Sequence, residues 1–261
     1  MSVEIIAELS CNHMQDRRLA SALIVAAKAA GADTVKFQTY QPDRMAQPGT
    51  TVPSGPWAGM DLRELYRQAW TPWDWHAGLR EEALALRLQW LSSPCSPEDV
   101  AFLETLDCPR YKIGSFERSH RPLREAVLAT GKPVIVSLGL SGVPGDGGWP
   151  RRATFLACTS AYPAPLRGAV HTVGDGLSDH SRNPLVPALA VARGAQVIEA
   201  HLMMAGTQPL DAAHSLDERE FAQMVSMVRQ AEEAMAPPEG DPEAASHIFQ
   251  RKATPEGWFR G

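Results

Sequence analysis

Two histidines stand at or just past short apolar runs, His180 in GLSDHSRN (176–183) and His201 in VIEAHLMM (197–204), with Asp179 and Glu199 close by. Neutral imidazole nitrogens are good ligands for a divalent cation, and a pair of them leaves positions open for water or substrate, as a catalytic ion requires. Acids next door can orient the rings. Two lysines, Lys36 in TVKFQ and Lys112 in RYKIGS, are each flanked by apolar residues. A single lysine there can run its stem along apolar surface to water. Two that point to one end of a fold suit a phosphate or carboxylate. Ser93, Ser115 and Ser137 could complete such a cradle as neutral donors. Of the remaining histidines, His13 and His214 are candidates for the same pocket, whereas His76, His120, His171 and His247 read as surface or loop.

Such residues need elements to bring them together. Apolar runs recur at VEIIAELS (3–10), TVKFQTY (34–40), LQWLSSP (88–94), RYKIGS (110–115), KPVIVSLG (132–139), TFLACTS (154–160) and QVIEAHL (196–202), with a weaker GDGLSD (174–179) in seventh place. Helical periodicity intervenes at 17–32, 96–106, 122–131, 183–195 and 215–235, several of these stretches ending at glycine. Ser96 and Asp99 form a cap signal at the second. Sustained strand–helix alternation over eight strands predicts a TIM-type (β/α)8 barrel. The links SGVPGDGGWPRR and RGAVHTVGD are too broken or too short for crossover helices, so the helices after strands five and six are expected to be missing or reduced. Residues 41–60 read as an irregular excursion before a helix at about 61–87, and 236–261 as a linker and tail after a barrel domain of 1–235.

In a barrel of this kind the C-terminal strand ends share one mouth. The polar residues there are Glu8, Asn12 and His13; Lys36 and Gln38; Ser92 and Ser93; Lys112, Ser115 and Glu117; Ser137; Thr159, Ser160 and Tyr162; Asp179 and His180; Glu199 and His201. So many ionisable groups inside a barrel are costly unless they are paired or bind something. The 261-residue composition, 44% hydrophobic and 21% charged, is that of an ordinary globular chain. A net charge of −5 without a basic block argues against a nucleic-acid partner. Cys11, Cys95, Cys108 and Cys158 lack C-x-x-C spacing and read as reduced core or pocket thiols. With no leader pattern and no run long enough to span a bilayer, a cytoplasmic protein without a membrane partner is expected.

The ordered motifs IAELSCNH, GADTVKFQTY, WLSSPCS, YKIGSFE, GKPVIVSLG, CTSAYPAP, LSDHS and GAQVIEAHL resemble the N-acetylneuraminate (sialic acid) synthase family, which includes other nonulosonate synthases. The resemblance runs over residues 3–235. It implies a (β/α)8 barrel that condenses phosphoenolpyruvate with an N-acetylated aldose, using Mn2+ or Mg2+. It implies His180 and His201 as metal ligands, and Lys36, Ser93, Lys112, Ser115 and Ser137 as the phosphoenolpyruvate cradle. Tyr162 would reach both substrates, Glu8, Glu117 and Glu199 would be pocket acids, and Asp211 would lie near the sugar. The acid–base residue is expected at Glu8 or Glu199, with Glu117 stabilising positive charge. Departures from the family's pattern begin at its acceptor signature. QPLDAAHSL keeps Asp211 but has Ala212 where the family carries histidine, with His214 two residues on; EAHLM has Ala200 for a lysine; SLG replaces S-T-G; and Ser160 replaces a common asparagine. The chain stops where the family's C-terminal antifreeze-like domain would begin. A different aldehyde acceptor, or a non-catalytic barrel that only binds, are the alternatives. A homodimer is expected to cover barrel surface bared by the missing helices.

Overall fold

The computed structural model describes residues 2–139, 146–170 and 174–237, together with the backbone of 253–254 and 257–258. Eight parallel strands close into one barrel in chain order: β1 (Glu4–Glu8), β2 (Thr34–Thr39), β3 (Gln89–Pro94), β4 (Tyr111–Ile113), β5 (Val134–Ser137), β6 (Thr154–Cys158), β7 (Gly176–Asp179) and β8 (Val197–His201). The helices are α1 (Arg17–Ala29), α2 (Pro42–Met45), α3 (Leu62–Ala69), α4 (Trp73–Ala85), α5 (Pro97–Glu104), α6 (Arg121–Ala129), α7 (Leu185–Ala192) and α8 (Glu218–Met235). Caps set their starts: Asp16 accepts from Arg18 N, Ser96 from Asp99 N, and Asp217 with Glu220 forms a reciprocal capping box. Among the described residues neither link after β5 nor that after β6 contains an α-helix; the first holds only a 3-10 turn at Asp146–Gly148.

The two-residue period of the strands sorts every side chain. Ile5, Ala7, Val35, Phe37 and Trp90 point outward into the shell of helices and belong to the main apolar core. Ile6, Leu91, Ile135 and Leu156 point inward and form a separate apolar cluster inside the barrel, with Val197 packed against it. Beneath this plug, Glu4 pairs with Arg110 and accepts from Thr34 Oγ1 at 2.6 Å. Above it the inward positions are polar, and register sets them side by side: Glu8 beside Lys36 and His201, Ser178 beside Glu199. The plug turns the upper half of the barrel into a closed-bottomed cup.

Several expectations change. The helix foreseen over 61–87 is two, α3 and α4, because Pro72 disfavours helical backbone at Thr71 and cannot donate a backbone hydrogen bond; Trp70 is already extended. His76 is a fully buried residue of α4, not a surface one, with Nε2 2.9 Å from Thr39 Oγ1. The flank expected to be bare is covered within the single chain: Val134, Val136, Phe155, Ala157 and Leu177 are all buried, packed with Trp149 and Ala153. The argument for a homodimer therefore loses its premise. Among the described residues no helix is long and apolar enough to cross a membrane. The reading of 236–261 as a tail and of His171 and His247 as loop residues falls outside the described residues, apart from Ala236 and Pro237 and a short antiparallel backbone pairing of 253–254 with 257–258.

Candidate active site

The cup holds a cavity of about 290 Å³ lined by Glu8, Lys36, Gln38, Ser93, Lys112, Ser115, Glu117, Ser137, Tyr162, His180, Glu199, His201 and Asp211, together with His214. At its centre two lysines converge on one carboxylate oxygen. Glu199 Oε1 lies 3.1 Å from Lys36 Nζ and 3.5 Å from Lys112 Nζ, and accepts from Ser178 Oγ at 2.8 Å. Lys36 also pairs with Glu8, whose other oxygen accepts from Ser10 N at 2.6 Å, and Lys112 Nζ donates to Ser137 Oγ at 2.7 Å. Burial pushes the Lys36 ammonium down to about 8, against the pull of Glu199. Burial would raise the Glu199 carboxyl, but Lys112, Lys36 and the Ser178 hydroxyl hold it well below the ordinary range. Glu117 is raised by burial, with a backbone hydrogen bond and the two lysines only partly opposing.

Across the cup three imidazoles face one another. The ring centroids of His201 and His214 are 4.5 Å apart, those of His180 and His201 5.5 Å, and those of His180 and His214 5.9 Å. Asp211 sits among them, its carboxylate oxygens 3.4 Å from His201 Nδ1 and 3.7 Å from His214 Nε2. His180 Nδ1–H donates to Thr159 O at 3.0 Å, which fixes the tautomer and leaves Nε2 as the lone-pair atom. Burial, with the neighbouring His201, pushes both His180 and His214 down to about 3, so both are neutral at pH 7. Neutral, buried imidazoles beside a carboxylate fit a divalent ion, and the buried Nδ1 atoms of His201 and His214 have no hydrogen-bond partner.

The two halves are wired together through Ser10. Its Oγ donates to Asp211 Oδ2 at 2.6 Å and accepts from Gln38 Nε2 at 3.0 Å, while its amide holds Glu8. Ser10 takes a left-handed backbone, φ 43°, unusual for a residue with a Cβ and held here by these bonds. The excursion at 41–60, with α3 after it, is one wall of the cavity: Met45, Val52, Leu62 and Tyr66 line it, and Trp57 Nε1 donates to Leu210 O at 3.0 Å. Cys11, Cys95 and Cys158 line the same cavity and Cys108 is buried in the core; all four are free thiols.

Two expected site residues stand elsewhere. Asp179 follows the inward Ser178 and so points out of the barrel, accepting from Ser181 N and Ser181 Oγ at 3.1 and 2.9 Å. Ser160 is one step removed, its hydroxyl 2.8 Å from that of the lining residue Ser115. His13, a pocket candidate, is instead buried against Trp75 with Nε2 3.0 Å from Thr71 Oγ1, and Asn12 ties the loop after β1 to Leu202 O. Ser178, Ser10 and Trp57 are site residues that the sequence reading lacks, and strand parity alone finds Ser178; Cys158 lines the cavity as a pocket thiol should.

Residues 23–239 match the NeuB family. This chain belongs to that family. It is 40% identical to a pseudaminic acid synthase of Campylobacter jejuni, over 89% of this chain and 75% of that protein. It is 32% identical to an N,N'-diacetyllegionaminic acid synthase of Legionella pneumophila, over 93% of this chain and 76% of that one. Among solved structures, an N-acetylneuraminic acid synthetase from Leptospira borgpetersenii superposes with a TM-score of 0.81, at 24% identity, covering 96% of this chain and 90% of that one, and so shares the barrel fold. Relatives in the NeuB family are thus named as synthases of sialic-acid-like sugars, and this barrel is an enzyme of that class.

Proposed function

We propose that this NeuB-family barrel, residues 1–235, condenses phosphoenolpyruvate with an acylamino aldose, giving a nonulosonic acid and phosphate. One observation carries the reading: Lys36 and Lys112 share the Glu199 carboxylate on one side of a closed cup, and a histidine cluster faces them on the other. Lys36, Lys112, Ser93 and Ser137 bind the phosphate and carboxylate of phosphoenolpyruvate, which must compete with Glu8 and Glu199 for the two ammonium groups. His180 and His201 would hold a divalent ion, Mn2+ or Mg2+, which would supply Lewis acidity toward an aldehyde oxygen.

C3 of the enol attacks the aldehyde carbon, forming the new C–C bond and leaving positive charge at C2. Glu199, held as a carboxylate, stabilises that charge. Water adds at C2 with one proton passing to a carboxylate of the cup, and the C2–O bond to phosphate then breaks as the C2 hydroxyl gives its remaining proton to the departing phosphate and becomes the ketone. This exchanges the roles expected from the sequence: Glu117, whose carboxyl is raised, suits proton donation to the new alkoxide better than charge stabilisation, so the acids divide by environment. Tyr162, whose phenol is pushed up by burial, keeps its proton and orients substrate as a donor. Trp57, Phe116 and Leu210 give the acceptor side an apolar wall suited to acylamino arms. Incubation with phosphoenolpyruvate and a panel of N-acetylated and diacetamido aldoses should release phosphate and yield a product of the condensed mass. No release with any of them overturns the reading.

A further inference from the structure

We infer that His214 is a metal ligand, so that the ion of this barrel is held by three imidazoles and the Asp211 carboxylate, not by the His180–His201 pair alone. The inference rests on the metal-binding reading given above and adds to it a coordination set and a class of ion. Among the described residues, His201, Asp211 and His214 are the group whose potential ligand atoms all lie within 4.8 Å of one another. His180 lies beside that group and not within it, its ring centroid 5.5 Å from that of His201 and 5.9 Å from that of His214, and its Nδ1–H bond to Thr159 O leaves Nε2 free to complete the set.

The His214 side chain is 2% exposed, yet its Nδ1 has no hydrogen-bond partner, and neither has that of His201. A buried polar nitrogen left unpaired costs stability unless something binds there. His201 Nδ1 faces the Asp211 carboxylate at 3.4 Å without making a hydrogen bond, and His214 turns Nε2 toward the same carboxylate at 3.7 Å, a spacing that a shared cation explains. The ring is also held ready. His214 N donates to Asp211 O at 3.1 Å, closing a turn that sets both side chains toward the cup. Ser10 Oγ fixes the carboxylate at 2.6 Å, and the edges and faces of Tyr162 and Trp57 confine the imidazole at centroid distances of 4.9 and 6.4 Å. A ligand held in place before the ion arrives loses little freedom on binding it.

Three nitrogens and one carboxylate favour Co2+ or Zn2+ and still take Mn2+ ahead of Mg2+, which prefers oxygen and water. The competing possibility is that His214 only positions Asp211 through space. Counting nitrogens separates the two. In the purified chain loaded with Mn2+, pulsed electron paramagnetic resonance should detect three coordinated imidazole nitrogens. In His214→Gln it should detect two, and Mn2+ should bind about tenfold or more weakly. Mg2+ in hundredfold excess should leave most of the Mn2+ bound to the unmutated protein. Two nitrogens in the unmutated chain, a measurement that needs no variant to fold, or an unchanged count in His214→Gln, would overturn the assignment. If His180→Gln and His201→Gln together release Mn2+ while His214→Gln alters nothing, the His214 ligand falls and the metal-binding reading stands. If Mn2+ shows no imidazole nitrogen in any of these proteins, both fall.

Discussion

Lys112→Met tests the anion cradle directly. Lys112 is almost wholly buried, its ammonium 2.7 Å from Ser137 Oγ and 3.5 Å from Glu199 Oε1. Methionine keeps much of the stem and deletes the cation. A charge-assisted hydrogen bond to a bound phosphate or carboxylate contributes about 1.5–3 kcal/mol. At about 1.4 kcal/mol per tenfold, its loss should weaken phosphoenolpyruvate binding by roughly one to two orders of magnitude. Stability should fall much less. Glu199 Oε1 keeps Ser178 at 2.8 Å and Lys36 at 3.1 Å, so the carboxylate is not orphaned. The cost therefore stays below the ~3–5 kcal/mol of a buried charge stripped of its partner. A loss of about 1–2 kcal/mol corresponds to a Tm lower by about 2–8 °C for a domain of this size. Isothermal titration with phosphoenolpyruvate at pH 7, beside a thermal unfolding curve, reads both quantities. A folded Lys112→Met protein that binds phosphoenolpyruvate within twofold of the unmutated chain refutes the cradle.

Because burial lowers the Lys36 ammonium to about 8, the cation is present below that pH and lost above it. Phosphoenolpyruvate affinity should be level near pH 7 and fall by up to about tenfold per unit beyond pH 8, as binding comes to require uptake of a proton; a flat titration series from neutral to alkaline pH would reject this role. Gly176→Ala places a Cβ 2.1 Å from Val197 O and 2.8 Å from Leu156 Cδ2, so β7 and β8 must part. It should cost about 1–3 kcal/mol or more in chemical denaturation, and unchanged stability would mean that the barrel yields there. Trp57→Ala removes the hydrogen bond to Leu210 O and an aromatic wall beside Tyr162 and His214. The aldose KM should rise about tenfold, the equivalent of ~1.4 kcal/mol of contact, with phosphoenolpyruvate affinity unmoved; equal losses for both substrates would contradict that wall's place on the acceptor side.

The barrel was legible because each strand is a compact apolar run and each retained helix carries its own period and stop. Even GDGLSD, with little apolar content, could be assigned by its place in the order, and it is β7. What failed were features set by distant packing. Nothing local tells that Trp149, with its Nε1 on Arg118 O at 2.9 Å, packs into a flank where the described residues form no α-helix. Periodicity runs on through 61–87, so one proline had to be weighed against the whole pattern, and the backbone obeys the proline.

In the site, strand-borne residues were readable and loop-borne ones were not, and the reason is geometrical. A strand residue's direction follows from parity once one neighbour is placed. Lys36 inward makes Thr34 and Gln38 inward, and His180 inward makes Ser178 inward and Asp179 outward. Asp179 carries the charge but lies against that parity, while Ser178, a bland residue on the right side, holds the carboxylate that both lysines face. Ser10 and Trp57 obey no period; their partners Asp211 and Leu210 lie 201 and 153 residues away. Such contacts exist only after the barrel closes. The acceptor side draws Trp57, Phe116, Leu210 and Asp211 from loops, so parity reads none of them. The anion side draws Lys36, Ser93, Lys112 and Ser137 from strands, where parity reads them all.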